Sequence, residues 1–175
     1  MSGLNRRMLL MSNLVLENGI SALNFARKWT LEWLSDVPQD KLTHQPCAAG
    51  NHALWIAGHI AYADDVFMSN VGKKPARCSD SWVKLFGMGS KPQADAGAYP
   101  SLDEVTNALA DNREGLLAWF GSMSAEELAK PLPDDFKTFA ANQGMLMTTI
   151  AWHEGLHAGQ LTVVRKSLGL APKFK

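Results

Sequence analysis

His153 and His157 lie four residues apart in the segment WHEGLHAGQ, which spans residues 152 to 160. An α-helix advances about 100° per residue, so a spacing of four places two imidazoles side by side on one helical face. Such a pair suits Zn²⁺, Ni²⁺ or Fe²⁺. The spacing therefore predicts a metal-binding pair. The alternative is that one histidine is exposed and the other is satisfied by a neighbouring side chain or water.

A further ligand is predicted on another helix. His59 lies at the centre of an apolar stripe that also contains Trp55, Ala63 and Val66. His52 shares this face, but a separation of seven residues places it about 10.5 Å away along the helix axis, so one ion cannot readily bind both. His59 is preferred because His52 falls in the first turn, where a capping or exposed role is expected. The predicted metal ligands are therefore His59, His153 and His157.

The letters H-E-x-x-H also occur in zinc peptidases, in which the glutamate is the general base. A peptidase of this type needs another ligand, usually downstream, yet no His, Asp or Glu follows His157. Gln160 and Val163 occupy the positions of the Gly and His of one extended form of the motif. No edge strand is predicted that could hold an extended peptide. A zincin-like metallopeptidase is therefore disfavoured.

Three other polar residues lie on or beside apolar helical stripes. Glu154 is about 100° from His153, where it could be a general base, could bond to a metal ligand, or could be a surface carboxylate. Gln160 is closer to the stripe and is predicted to bond a ligand or the substrate, with a buried glutamine bonded to backbone as the alternative. Arg27 lies at the centre of the first helix's stripe, where it could hold a substrate carboxylate or reach out to an interface.

Four stretches with helical periodicity must position these side chains, and no alternating strand pattern is found. They run over residues 5–34, 51–71, 101–121 and 142–168. Asn51 is a predicted N-cap, and Ser101 and Ser124 each begin a predicted capping box. Residues 73–100 form a long connection between the second and third helices, part of which should fold back onto the body. The prediction is an all-α four-helix bundle, forming one domain over residues 1–175.

The charge balance disfavours several classes of partner. Lys plus Arg and Asp plus Glu both number 17, and no run of like charges predicts nucleic-acid binding. No apolar run approaches the roughly 20 residues of a membrane span. The absence of a signal-peptide pattern favours the cytoplasm. A second apolar strip on the first helix, with Phe25, Trp29 and Trp33, indicates a homodimer interface.

Two segments resemble a known family. NHALWIAGHIAYADD, followed about ninety residues later by WHEGLHAGQLTVVRKSLGL, is similar to the DinB-like superfamily of four-helix bundles. The helix order, the long connection before the third helix and the closing R-x-x-L-G-L stretch, residues 165–170, also fit that family. The resemblance implies a divalent metal, zinc or nickel, bound by one histidine of the second helix and an H-x-x-x-H pair of the fourth. The matching residues are His59, His153 and His157.

The resemblance also implies an activity. Relatives include thiol-dependent transferases and isomerases that use bacillithiol or mycothiol, and many members have no known reaction. Three neutral histidines leave an open coordination position, where a thiol or water could lose its proton near neutral pH and attack a small electrophilic substrate. A metal-dependent thiol transferase or hydrolase is therefore expected. The alternative is a non-catalytic bundle that acts in stress response or protein association, with a structural metal or none.

Overall fold

The computed structural model describes residues 3 to 173, without the side chains of residues 3–10 and 12. The single domain expected over residues 1–175 therefore extends past the described residues at both ends. All regular secondary structure in the described part is helical, which confirms the all-α prediction. None of the described helices is both long enough and apolar enough to cross a membrane.

The helices have the following bounds. In chain order they are α1 (Gly3–Leu34), α2 (Ala53–Val66), α3 (Asp80–Phe86), α4 (Leu102–Gly121), α5 (Ala125–Ala129) and α6 (Gln143–Ser167). A π-helical turn, Phe67–Val71, extends α2, and short 3-10 turns occupy Gln39–Lys41, Ala96–Ala98 and Asp134–Phe136. The four predicted helices correspond to α1, α2, α4 and α6. The long connection does fold back, since it forms α3 and its Phe86 is fully buried.

Side-chain caps explain where these helices begin. Ser101 and Ser124 form the two predicted capping boxes, each with the glutamate three residues later. The predicted cap of α2 is wrong: His52, not Asn51, is the N-cap, because its Nδ1 accepts the Trp55 backbone N–H at 3.0 Å. His52 is also fully buried, so the capping role expected for it is confirmed and the exposed one is not.

Two apolar clusters fill the interior along the four long helices. α1 packs along α6, α2 packs along α4, and α2 also contacts α6. One cluster contains Ile56, Phe86 and Leu161, and the other contains Leu23, Phe120 and Met147. On each long helix the boundary between the two clusters falls near one buried charged residue. These residues are Arg27 of α1, Asp64 of α2, Arg113 of α4 and Glu154 of α6.

These four side chains form a closed ring of ion pairs, here called the buried charge quartet. Each side chain is at most 9% exposed. Arg27 donates to Asp64 at 3.0 Å and to Glu154 at 2.7 Å. Arg113 donates to Asp64 at 2.9 Å and to Glu154 at 2.5 Å. Two positive and two negative groups compensate each other, so the quartet carries no net formal charge.

The remaining guanidinium nitrogen of each arginine, Nη1, also has an acceptor. Arg27 Nη1 donates to the Leu109 carbonyl, and Arg113 Nη1 donates to the Leu23 carbonyl at 2.8 Å. Arg27 therefore neither reaches solvent nor presents a free guanidinium, contrary to both of its sequence-based interpretations. The surface interpretation of Glu154 is also wrong, because both of its oxygens accept from buried arginines.

We predict that Glu154→Gln destabilises the fold by about 3 to 5 kcal/mol, because it leaves two buried arginines facing one carboxylate. Urea unfolding measures this loss. The control is Asp134→Asn, which removes an exposed ion pair with Lys137 and should change stability by less than about 1 kcal/mol. Adding Arg27→Met to Glu154→Gln restores neutrality and should recover part of the loss. Equal effects of Glu154→Gln and Asp134→Asn would contradict this account of the quartet.

Candidate metal site

The structure brings together the three histidines singled out in the sequence. His59 lies on α2, and His153 and His157 lie on α6. One ring nitrogen from each of the three lies within 4.8 Å of the others. The Nε2 atoms of His59 and His153 are 3.3 Å apart, and the His157 ring centroid is 4.6 Å from each of the other two. These residues could hold a metal ion and are called the histidine cluster below.

The spacing of these nitrogens fits a tetrahedral ion. Zn–N bonds of about 2.0 to 2.1 Å at the tetrahedral angle place neighbouring ligand nitrogens about 3.3 to 3.4 Å apart. The separation between His59 and His153 equals this edge. Three imidazoles would supply three ligands to such an ion and leave a further position for water or substrate, as in catalytic zinc sites. The donor set therefore fits Zn²⁺ or a similar borderline ion.

A glycine allows His59 to be oriented by backbone. A Cβ atom at Gly58 would lie 2.2 Å from the Phe86 ring, so only glycine lets α3 approach α2 this closely. The approach brings the Phe86 carbonyl within 2.6 Å of His59 Nδ1. A carbonyl only accepts, so Nδ1 carries the proton and Nε2 presents its lone pair to the cluster. The Trp55 ring stacks on the His59 ring, with centroids 4.7 Å apart.

His157 is oriented by two amide side chains. Gln160 Oε1 lies 3.0 Å from His157 Nδ1, and the same oxygen accepts from Asn51 Nδ2 at 2.9 Å. The Asn51 donor identifies that Gln160 atom as the oxygen, so His157 Nδ1 is the donor and its Nε2 is unprotonated. This contact matches the role predicted for Gln160, bonding to a ligand, and gives Asn51 a role other than the predicted cap.

His153 differs from the other two histidines. Its ring is only half-buried, and its one hydrogen-bond contact among the described residues is with His59 Nε2. Because His59 Nε2 is an acceptor, His153 Nε2 must donate to it in the metal-free protein. If His153 bound a metal through Nε2, this proton would have to move, and His153 would change tautomer while His59 and His157 kept theirs.

Burial keeps the cluster neutral near pH 7. The pKa of His59 and of His153 is lowered to about 4, mainly by desolvation and in smaller part by the neighbouring His157. Burial also lowers the pKa of His157, against the opposing effect of its bond to Gln160. Neutral imidazoles are the form that binds metal. The site therefore needs no deprotonation of imidazolium before an ion can enter at neutral pH.

One tryptophan, Trp55, packs directly against the histidine cluster. Trp55 stacks on His59, and its Nε1 donates to the Leu85 carbonyl and to Ser90. Trp119 is buried in the core and Trp82 packs on Phe86. Trp152, beside His153, is 63% exposed.

The sequence patterns did not single out several residues that lie at or near the site. A backbone carbonyl such as that of Phe86 leaves no trace in side-chain patterns. Arg113 could have been found from the sequence, because it lies on the apolar stripe of α4 between Leu109 and Leu116, as Arg27 does on α1. Asp64 and the adjacent Asp65 are carboxylates near the end of a largely apolar helix, which is the same kind of signal.

We predict that Gln160→Leu lowers metal affinity about 10- to 100-fold, because it removes the acceptor that orients His157. A competition titration against a chromophoric chelator measures the change. Gln160→Glu keeps an acceptor oxygen and should retain most of the affinity, whereas Thr162→Val on the same helix is a neutral control. Equal losses in Gln160→Leu and Thr162→Val would show that the contact with Gln160 does not orient the ligand.

We predict that the metal-free protein loses stability as the pH falls from about 6.5, the pKa of an unfolded histidine, towards 4. In this range the unfolded chain binds protons that His59 and His153 in the folded chain do not, so unfolding is favoured. Above about pH 6.5 both states are neutral and this contribution is constant. Thermal unfolding in a chelator between pH 7.5 and 4.5 measures the trend, and His59→Asn should weaken it. If stability falls with pH as steeply in His59→Asn as in the unaltered protein, groups other than His59 cause the fall.

The comparisons with known proteins agree with this architecture. The family model of the DinB superfamily matches residues 22–161, a stretch that includes the whole histidine cluster. No curated protein matches the chain. A crystal structure described as the conserved protein of a locus from Enterococcus faecalis matches with a TM-score of 0.69 and 16% identity, covering 87% of this chain and 96% of that one. At this identity the likeness shows the fold alone. Because the family model covers most of the chain, the protein belongs to the DinB superfamily.

Proposed function

We propose that this protein is a metal-dependent enzyme, a thiol-dependent transferase or a hydrolase, acting on a small electrophilic molecule. The observation that carries the proposal is the histidine cluster, in which nitrogens from two helices converge and the His153 ring is half-exposed. A structural metal site is normally closed by four protein ligands, whereas a catalytic one keeps an open position. Three histidines, of which His153 is partly exposed to solvent, fit the second type.

The donor atoms favour zinc or nickel. All three candidate ligands are imidazoles, which suit both ions, and no carboxylate or thiol joins them in the described cluster. When bound, the ion would supply a Lewis acid that lowers the pKa of a thiol or water at the open position. Phe86 and Gln160 bond to Nδ1 of His59 and His157, which would leave their Nε2 lone pairs to hold that ion.

A thiol, if used, would come from outside the chain. Burial raises the pKa of the Cys78 thiol to about 12, so this cysteine stays protonated, and no described cysteine belongs to the cluster. Glu154 is held by two arginines, which argues against its sequence-based role as general base. A low-molecular-weight thiol bound at the open position is therefore the nucleophile that we propose for a transferase.

A homodimer is proposed on separate grounds. Phe25 is 64% exposed, and its ring lies 6.3 Å from that of Trp29, which in turn lies 5.6 Å from Trp33. Phe25 faces outward in this row of aromatic rings along α1, whereas Trp29 and Trp33 are half-buried. The exposed end of the row supports an interface with a second copy rather than with nucleic acid, for which the balanced charge offers no attraction.

We predict about one divalent metal ion per chain in protein purified without an affinity tag, measured by elemental analysis. His59→Ala should lower the content sharply, because it removes one of three ligands. The control is His44→Ala, which alters a histidine bonded to Ser167 outside the cluster. An unchanged metal content in His59→Ala would show that the site is wrongly assigned.

The same preparations distinguish an enzyme from a non-catalytic bundle. Conjugation of free thiols to 1-chloro-2,4-dinitrobenzene, followed by absorbance, should be faster with metal-loaded protein than with chelated protein or His59→Ala. In the contrary outcome, the metal binds stoichiometrically and yet neither accelerates the thiol reaction nor hydrolyses activated esters. That result would favour a non-catalytic bundle with a structural metal.

A further inference from the structure

A cavity on the outer face of α6 lies about one helical turn before His153. It has a volume of about 560 Å³ and is lined by Thr138, Phe139, Thr148, Thr149 and Trp152. Thr149 is four residues before His153, which places them one turn, about 6 Å, apart along α6. The half-buried His153 directly follows Trp152, so the partly exposed edge of the histidine cluster lies beside residues that line the cavity.

The phenylalanine wall of this cavity is fixed by its neighbours. Thr149 Oγ1 donates to the Phe139 carbonyl at 2.7 Å, which ties the loop before α6 to the helix. The Phe139 ring packs edge-on against Phe67, with centroids 5.6 Å apart, and lies 5.7 Å from Phe136. Phe139 is nevertheless 39% exposed, so part of its ring remains accessible. A braced but accessible aromatic ring is a preformed surface for stacking.

The opposite wall is Trp152, the residue directly before His153. Its side chain is 63% exposed, and no aromatic partner for it is found among the described residues. No charged side chain lines the cavity, and its polar side-chain groups are the hydroxyls of its three threonines and the indole N–H of Trp152. An anionic ligand would find no counter-ion there, whereas a flat uncharged ring would contact two aromatic side chains.

We propose that this cavity binds an uncharged aryl group of the molecule that reacts at the histidine cluster. The inference rests on the proposed function and adds to it a substrate class: compounds with a neutral aromatic portion about one helical turn from their reacting atom. Phe139 and Trp152 hold the ring, and the hydroxyls of Thr138 and Thr148 can bond a polar substituent on it. They determine specificity and take no part in the chemical step.

The first test uses protein loaded with Co²⁺, whose near-ultraviolet absorption reports a bound thiolate. Benzyl mercaptan and 2-mercaptoethanol are titrated separately, together with 4-(mercaptomethyl)benzoic acid. Benzyl mercaptan should bind about tenfold more tightly than 2-mercaptoethanol, because its ring is buried and stacked. The added carboxylate should remove most of this gain. Trp152→Ala and Phe139→Ala should each reduce the preference several-fold and leave binding of 2-mercaptoethanol unchanged.

Phe25→Ala is the matched control, because it removes an equally exposed aromatic ring on α1. Equal binding of the two thiols by the unaltered protein would overturn the proposal. So would an equal loss of preference in Phe25→Ala, or the dissociation of a dimer by Trp152→Ala in sedimentation, which would assign Trp152 to an interface with a second copy.

A second test needs neither metal nor thiol. The uncharged fluorophore N-phenyl-1-naphthylamine should bind the metal-free protein, be displaced by benzyl alcohol, and bind several-fold more weakly to Trp152→Ala than to Phe25→Ala. Absence of binding to the unaltered protein would overturn the aryl site. If the fluorophore binds as expected but no thiolate band forms with either thiol on the cobalt protein, the aryl site stands and the proposed thiol chemistry fails.

Discussion

The arrangement of the four long helices depends on the buried charge quartet. Each helix contributes one member, and each carboxylate accepts from both arginines, so no helix can slide or rotate without breaking a buried ion pair. Apolar packing alone tolerates small shifts, whereas an uncompensated buried charge costs several kcal/mol. The quartet therefore selects one register among the many that two apolar clusters would permit.

The same constraint positions the histidine cluster. α2 and α6 each carry one quartet member and at least one of the candidate ligands, while α1 and α4 carry quartet members alone. With Glu154 held towards α1 and α4, the rotation of α6 is fixed, and His153 lies about 100° away at the boundary with α2. Trp152, His153 and Glu154 are consecutive, yet they are exposed, half-buried and buried. The neighbours of each decide its chemistry.

Helical periodicity was sufficient to predict the long helices and the histidines that converge, because both depend on angles within a single helix. It could not predict the partners across helices. Asn51 bonds to Gln160 only because α2 and α6 run antiparallel, and the Phe86 carbonyl reaches His59 only because Gly58 admits α3. The burial of Glu154 was ambiguous for the same reason, because a residue at the edge of an apolar stripe is buried or solvated according to which helix covers it.

The H-E-x-x-H motif illustrates this dependence on packing. A zinc peptidase uses the motif's glutamate as a base beside the metal. The side of the helix that bears the glutamate must therefore remain open to water and substrate. Here α1 and α4 cover it with two arginines, so Glu154 stabilises the fold, while the other side of α6, with Trp152 and Thr149, remains open. A substrate would therefore have to approach the histidines from the side opposite the glutamate.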